Sequence, residues 1–248
     1  MKILQELEPI TQSKKLHEKL YAMLKKAKDF TPDTADQFKE EQQLLTKIMV
    51  AHIDFQKAPK YGHEEFGDMF GRYLEETEQL NNRAGQFLTP MQVVKMMCAM
   101  LLGDPKRDDE PQYISDPAAG CGRFMLGYAS AYHKAIGAYN FIMNNVDVDF
   151  RMYVYCTMNA ILYGIPSINV WGNSLSLEYW EGFVVFQRFP GLPVEWHHLD
   201  KEAIQAFVPK FEPRGQQALA PIKPVIKPFR EIFEGKELKP TTLFDMLK

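Results

Sequence analysis

Residues Ile114 to Leu126 read ISDPAAGCGRFML. A β-branched residue opens the stretch, Asp116-Pro117 turns it, glycines stand at 120 and 122, and apolar residues resume at Phe124. That order predicts a strand, a tight loop and a helix. Glycines in such a loop let backbone approach a ligand closely, because no Cβ stands in the way. A dinucleotide-binding fingerprint would place a third glycine at 125, where Met125 stands. The loop therefore suits an adenosine-bearing ligand smaller than NAD.

Outward from this loop, strand and helix patterns alternate. Strand YISD, helix FMLGYASAYHKAI, strand FIMNNVDVD, helix RMYVYCTMNAILYG, strand INVWGN and strand FVVFQ predict an α/β core over residues 84–187. Alternation of this kind implies a mainly parallel sheet with ligand at the carboxyl ends of its strands. Residues 1–83 read as a helical region. Leu16, Leu20, Met23 and Leu24 keep helical spacing, Thr31-Pro32-Asp33 breaks that helix, and EEFGDMFGRYLEETEQLN forms a later one. The lysines at 14, 15, 19, 25, 26 and 28 fit a solvated helix face better than a DNA patch. Residues 188–248 form a proline-rich tail, with PGLP, VPKFEPRG and APIKPVIKPF, which suits an extended strap or partner-docking segment better than core strands.

Composition bounds the function. The 248 residues carry a net charge of −3, with 46% hydrophobic and 25% charged residues, ordinary values for a globular chain. No apolar run approaches the ~20 residues of a membrane span, and MKILQELEPITQSKK lacks a signal-peptide core. Cys98, Cys121 and Cys156 lie in apolar segments without metal-ligand spacing, which predicts a reducing cytoplasm and no metal. His197-His198 reads as a surface or packing feature, because adjacent side chains on a strand or helix point apart and no Cys or Glu cluster completes a site. The acidic balance predicts that any grip on DNA is local or shared with a partner.

Further segments stand in order around the glycine loop: GQFLTP at 85–90 ahead of MQVVKMMCAMLL, then VDVDFRMYVYCTMNAILYGI at 146–165, then NVWGNSLSL. Over residues 62 to 178 the chain resembles the N6-adenine DNA methyltransferases, most closely the modification subunits of type I restriction systems. The resemblance implies a Rossmann-like sheet, S-adenosylmethionine as cofactor, DNA as substrate and a partner subunit for recognition, in a restriction-modification or mobile-element setting. It also implies roles. Gln86, Phe87, Thr89 and Pro90 resemble the segment that closes over the methionine end of the cofactor. Gly120 and Gly122 would line its amino-acid portion, with Asp116 near the ammonium and Phe124 in the core. Asp147 would hold the ribose hydroxyls, with Asp149 as competitor two residues on. Asn173 stands where the family usually has an Asp that accepts from the adenine amino group.

Plainer readings stand beside these. Thr89 and Pro90 fit the cap and first residue of a helix. Asp147 and Asp149 both fit helix caps, Asp149 the better. Gly-Asn-Ser at 172–174 is a good turn.

One expected motif is missing. The family places an Asn/Asp-Pro-Pro-aromatic loop after the GNSL turn, and no such tetrapeptide occurs in the chain. Its nearest counterpart by position is Gln187-Arg188-Phe189-Pro190, which makes Gln187, Phe189 and Pro190 degenerate catalytic candidates. The sequence thus points to a cofactor-binding protein of the methyltransferase type. A non-catalytic binding or regulatory subunit, and a methyltransferase acting on protein or RNA, are the alternatives.

Overall fold

The computed structural model describes residues 16–27, 36–58, 66–80, 86–103, 111–187, 194–207 and 241–242. Thr31-Pro32-Asp33 and Arg188-Phe189-Pro190 lie outside them, as does residue 85.

Helices come first: α1 (Leu16–Lys26), α2 (Lys39–Lys57), α3 (Met69–Glu76) and α4 (Met91–Leu102). Then β1 (Gln112–Asp116), α5 (Arg123–Ile136), β2 (Phe141–Asp147), α6 (Phe150–Tyr163) and β3 (Ser167–Asn173) alternate. The chain closes with β4 (Glu178–Phe186), β5 (Glu195–Leu199), α7 (Lys201–Phe207) and the two-residue β6 (Thr241–Thr242). The sheet is mixed and ordered β1-β2-β3-β4-β5-β6. Strands β1, β2 and β3 pair in parallel through α5 and α6, whereas β3-β4, β4-β5 and β5-β6 are antiparallel.

Two expectations need correction. The sheet is not mainly parallel. A four-residue turn at 174–177 joins β3 to β4, and so short a connection reverses the chain, whereas a parallel return needs a crossover of a dozen or more residues. Part of the segment expected as an extended strap or partner-docking segment contributes secondary structure, since β5 and α7 come from it, while its proline stretches PGLP, VPKFEPRG and APIKPVIKPF lie outside the described residues. Glu195 to Leu199 carry no proline, and Trp196 and Leu199 bury their side chains there. Proline density around a segment is no bar to a strand inside it.

One core runs through the helices and one face of the sheet, from Leu16, Leu45 and Phe70 to Met143, Phe183 and Trp196. The helices before residue 83 pack into that same core. The other sheet face, with Ile142, Val146, Val170 and Val184, packs on Ile204 of α7. Between β2 and β3, Asn145 donates to the Asn169 carbonyl at 2.9 Å, and Asn169 donates to Ser167 Oγ at 3.1 Å. A one-residue slip of β2 against β3 would break the Asn145–Asn169 bond and put Asn145 on the opposite face.

A polar clasp ties α1 to the distal hairpin. Tyr21 donates to both carboxylate oxygens of Glu181, at 2.6 and 2.7 Å, His198 Nε2 bonds the same carboxylate, and Lys25 stands 3.5 Å away. Burial alone would raise the Glu181 carboxyl, but the bonds from His198 and Tyr21 hold it below its ordinary value of 4.5. A depressed carboxyl stabilises the fold above its unfolded value and loses that contribution as pH falls through the folded one. The clasp should therefore be intact at neutral pH and fail on acidification below about pH 4.5. Glu181→Gln should cost about 1–3 kcal/mol in urea unfolding at pH 7. It should also flatten the loss of stability below pH 4.5 that the parent shows. An unchanged acid limb would place that titration elsewhere.

Candidate functional site

The glycine loop is assembled from its own backbone and two carboxylates. At the end of β1, Asp116 accepts from the Ala118 amide at 3.1 Å and turns the chain. Ala119 donates to the carbonyl of Val146 on β2, and Gly122 donates to Ala119. Gly120 and Gly122 have φ of +55° and +83°, a region that side chains with a Cβ rarely adopt. A Cβ on Gly122 would also meet Cys156 Sγ and Met125 Cε at 2.9 Å, so the loop presses directly on α6.

A cleft of about 310 Å³ opens at this loop, at the carboxyl end of β1. Phe87, Thr89, Asp116, Gly120, Arg123 and Phe124 are among the residues that line it. Phe124, expected in the core, is half-buried: it packs against the core and also lines the cleft, because the start of α5 stands at its edge. Burial raises the Asp116 carboxyl, and the Ala118 amide offsets part of that. Thr89 does not cap the next helix. Pro90 holds the cap position of α4 without a side-chain bond, since a proline at that point already fixes the backbone, and Thr89 instead offers its carbonyl to Arg123.

Asp147 lies behind the loop. Its Oδ2 accepts from the Gly120 amide at 2.7 Å and its Oδ1 from the Asp149 amide at 2.8 Å. It thus braces the glycine loop against the end of β2, a role the sequence did not suggest. Burial raises its carboxyl, and the two amides work against that rise. Asp149 caps α6 by accepting from the Arg151 amide. It also receives Gln86 Nε2 at 2.9 Å and Arg151 Nη2 at 3.0 Å. Burial alone would raise Asp149, but Arg151 and Gln86 hold it below its ordinary value. Gln86 is therefore anchored to the start of α6, with Arg151 donating to its carbonyl oxygen at 3.2 Å.

Asn173 forms an Asx turn: its Oδ1 accepts from the amides of Leu175 and Ser176. The turn reaches the glycine loop through Ser174, which donates to the Pro117 carbonyl at 2.8 Å. Gln187 lies elsewhere. Because β4 runs antiparallel to β3, Val185 pairs with Ser167 at the start of β3, while Asn173 pairs with Glu178. Gln187 sits past that far end, roughly 20 Å from the cleft, the length of a seven-residue strand. It is not an acceptor for a group in this cleft. Phe189 and Pro190 lie outside the described residues.

The sequence missed the hub behind the cleft. Asp68 is 1% exposed and caps α3, accepting from the Gly71 amide at 2.8 Å. It also accepts from Arg123 Nε at 2.8 Å and Asn159 Nδ2 at 3.0 Å. Arg123 reaches Glu75 at 2.8 Å and the Thr89 carbonyl at 3.1 Å, and Asn159 donates to the Cys121 carbonyl at 2.8 Å. Arg123 Nη2, also buried, has no hydrogen bond among the described residues. The available signals were the Gly-Asp-Met-Phe helix start at 67–70 and a charged residue, Arg123, directly after a glycine loop.

The cysteines are packing residues. All three are buried, and burial pushes Cys98 up to about 12 and Cys121 and Cys156 well above their ordinary value. Among the described residues no group of three or more His, Cys, Asp or Glu could hold a metal ion, and no helix is long and apolar enough to cross a membrane. His197 and His198 point to opposite faces of β5, His197 stacking on Phe186 and His198 joining the clasp.

Removing one partner of a buried charge pair leaves the other uncompensated. Arg123→Met should therefore lower stability by about 3–5 kcal/mol in denaturant unfolding. Asn159→Leu, which removes neutral bonds, should cost less. A smaller loss in Arg123→Met than in Asn159→Leu would refute the ranking.

The profile of the N-6 DNA methylase family matches residues 62–189. That span starts just ahead of the Asp68 cap and includes β1 through β4. No curated protein and no solved structure matches the chain. The match takes in more than half of the 248 residues and every side chain of the braced loop and its hub, and on that ground the chain belongs to the N-6 DNA methylase family.

Proposed function

We propose that the chain binds S-adenosylmethionine in the glycine-loop cleft and serves adenine-N6 DNA methylation of the type I modification-subunit kind. The observation that carries this is a braced loop with one carboxylate, Asp116, and one guanidinium, Arg123, at the cleft. S-adenosylmethionine ends in an amino acid that carries an ammonium and a carboxylate. Asp116 suits the first. The amino end of α5, which Arg123 opens and holds in place, favours the second. Gly120 and Gly122 give backbone approach, and Phe87 and Phe124 offer apolar surface to the methionine stem and the base. The β1–α5–β2–α6–β3 run supports a Rossmann-like reading of the sheet. A carboxylate oxygen keeps a second lone pair, so Asp147 can still accept from a ribose hydroxyl while it braces Gly120. Asn173, through the turn on Pro117, closes the adenine side.

When bound, the cofactor supplies an electrophilic methyl on sulfur. The target amine must still be polarised, because adenine's amino lone pair is delocalised into the ring. None of the residues named at the cleft is a carboxamide held by prolines, and the chain has no Asn/Asp-Pro-Pro-aromatic tetrapeptide. That absence favours a second reading, a cofactor-binding subunit whose acceptor loop and DNA recognition come from a partner. Methyl transfer to protein or RNA is tested by the same labelled-cofactor assay with those substrates.

Calorimetry with S-adenosylmethionine tests the first proposal. Asp147→Ala should weaken binding by about 1–3 kcal/mol, because it frees the loop as well as the ribose contact. Asp149→Ala should weaken it less. Equal effects, or no heat with the parent chain, would overturn the assignment. Asp116 enters binding with a raised carboxyl, and an ammonium neighbour would lower it, so binding releases a proton. Affinity should therefore rise from acidic toward neutral pH and lose that slope in Asp116→Asn.

Incubated alone with unmethylated DNA and labelled cofactor, the chain should form little or no N6-methyladenine in a nucleoside digest. Robust product would show that a described or tail residue supplies the acceptor after all. In that case Gln187→Ala should leave the product unchanged.

A further inference from the structure

We infer, resting on the cofactor reading of the cleft, that Asp116 and Asp147 make it select a sulfonium over the uncharged thioether that remains once the methyl has gone. They are then specificity-determining residues, and the spent product binds more weakly than S-adenosylmethionine. The carboxylates around the glycine loop fall into two groups. Asp68 faces Arg123, Glu75 faces Arg123 and Arg72, and Asp149 faces Arg151, so the charges of this frame cancel. Asp116 and Asp147 differ. Asp116 accepts from the Ala118 amide, and Asp147 from the Gly120 and Asp149 amides. Among the described residues neither has a Lys, Arg or His partner. Both are half-buried, and their charges act on one another. Asp116 lines the cleft, and Asp147 stands directly behind Gly120, which also lines it.

Two uncompensated carboxylates set the sign of the cleft. The amino end of a helix by itself draws anions, phosphates included. Here a pyrophosphate meets these two charges as well, and a cation is favoured instead. The amino-acid end of S-adenosylmethionine carries an ammonium and a carboxylate, so it is neutral as a whole and leaves the sum unchanged. The positive sulfur does not. Transfer of the methyl breaks the carbon–sulfur bond and leaves its electron pair on sulfur, while the amine that takes the methyl gives up a proton. The ligand left behind has no net charge, and the attraction is gone. An opposing charge at a half-open site is worth on the order of tenfold in affinity. Loss of the methyl therefore loosens the ligand, whichever chain supplies the acceptor loop.

Calorimetry on the full chain near neutral pH can isolate that one charge with three ligands. They are S-adenosylmethionine, S-adenosylhomocysteine, whose sulfur is neutral, and sinefungin, which carries an amine in place of the methylated sulfur. The first and third should bind about tenfold more tightly than the second. Asp116→Asn keeps an acceptor for the Ala118 amide and removes the charge. It should weaken all three through the ammonium and also shrink the ratio to about threefold or less. Asp116→Glu keeps the charge and should keep the ratio. The parent's own ratio decides the matter even where a variant fails to fold. S-adenosylhomocysteine binding as tightly as S-adenosylmethionine overturns this inference alone, and so does a ratio that Asp116→Asn leaves unchanged. Heat with none of the three overturns the cofactor reading and this inference together.

Discussion

The buried ion pair between Asp68 and Arg123 is the constraint from which the cleft takes its shape. A carboxylate at 1% exposure pays heavily for its desolvation unless every lone pair is used. Here it is used by the start of α3, by the first residue of α5 and by the middle of α6. Arg123 carries the same constraint on to Thr89, so the wall ahead of α4 is set by a charge buried two elements away. The glycine loop hangs from this frame. Its far side is fixed by Asp147, and its near side by a guanidinium that cannot move without exposing Asp68.

A second constraint is the direction of β4. Up to β3 the sheet is parallel, and the ends of β1, β2 and β3 deliver Asp116, Asp147 and Asn173 to one rim. The four-residue turn after β3 then sends the chain back. Everything that follows on β4 reaches the opposite rim, whatever its chemistry. This is why position along the chain misled for Gln187: its place after a β-strand matches the family order, but the strand leads away from the cleft.

Much of the fold was legible because hydrophobic period and loop chemistry agree. Helix α4 occupies the predicted MQVVKMMCAMLL, and the strand–loop–helix order at 114–126 follows from two glycines and an Asp-Pro turn. The direction of β4 is not in its period of two, which is the same in either sense; it lies in the four-residue connection after Asn173, too short for a parallel return. Strand β5 was hidden by prolines on both sides of Glu195–Leu199. At the site, the sequence marked Asp116, Gly120 and Asp147 as a group, but Asp68 and Asn159, 91 residues apart, meet only through tertiary packing. No local pattern encodes that meeting, and Asp147's second role depends on a Gly120 amide that sequence leaves unplaced.

The clasp on α1 carries a consequence in time. Tyr21 waits for Glu181, 160 residues later, and the Leu24 carbonyl waits for Trp196 Nε1, 172 residues later. Leu20, Met23 and Leu24 are fully buried in the finished fold, where α1 packs on α6. During synthesis α1 therefore emerges early with an apolar stripe and no seat for it. The long closure also makes its docking a late event in folding, since such contacts must wait for the intervening chain to order. The two bonds that fasten α1 thus span most of the chain, so its apolar stripe has no seat until α6 and the distal hairpin have formed.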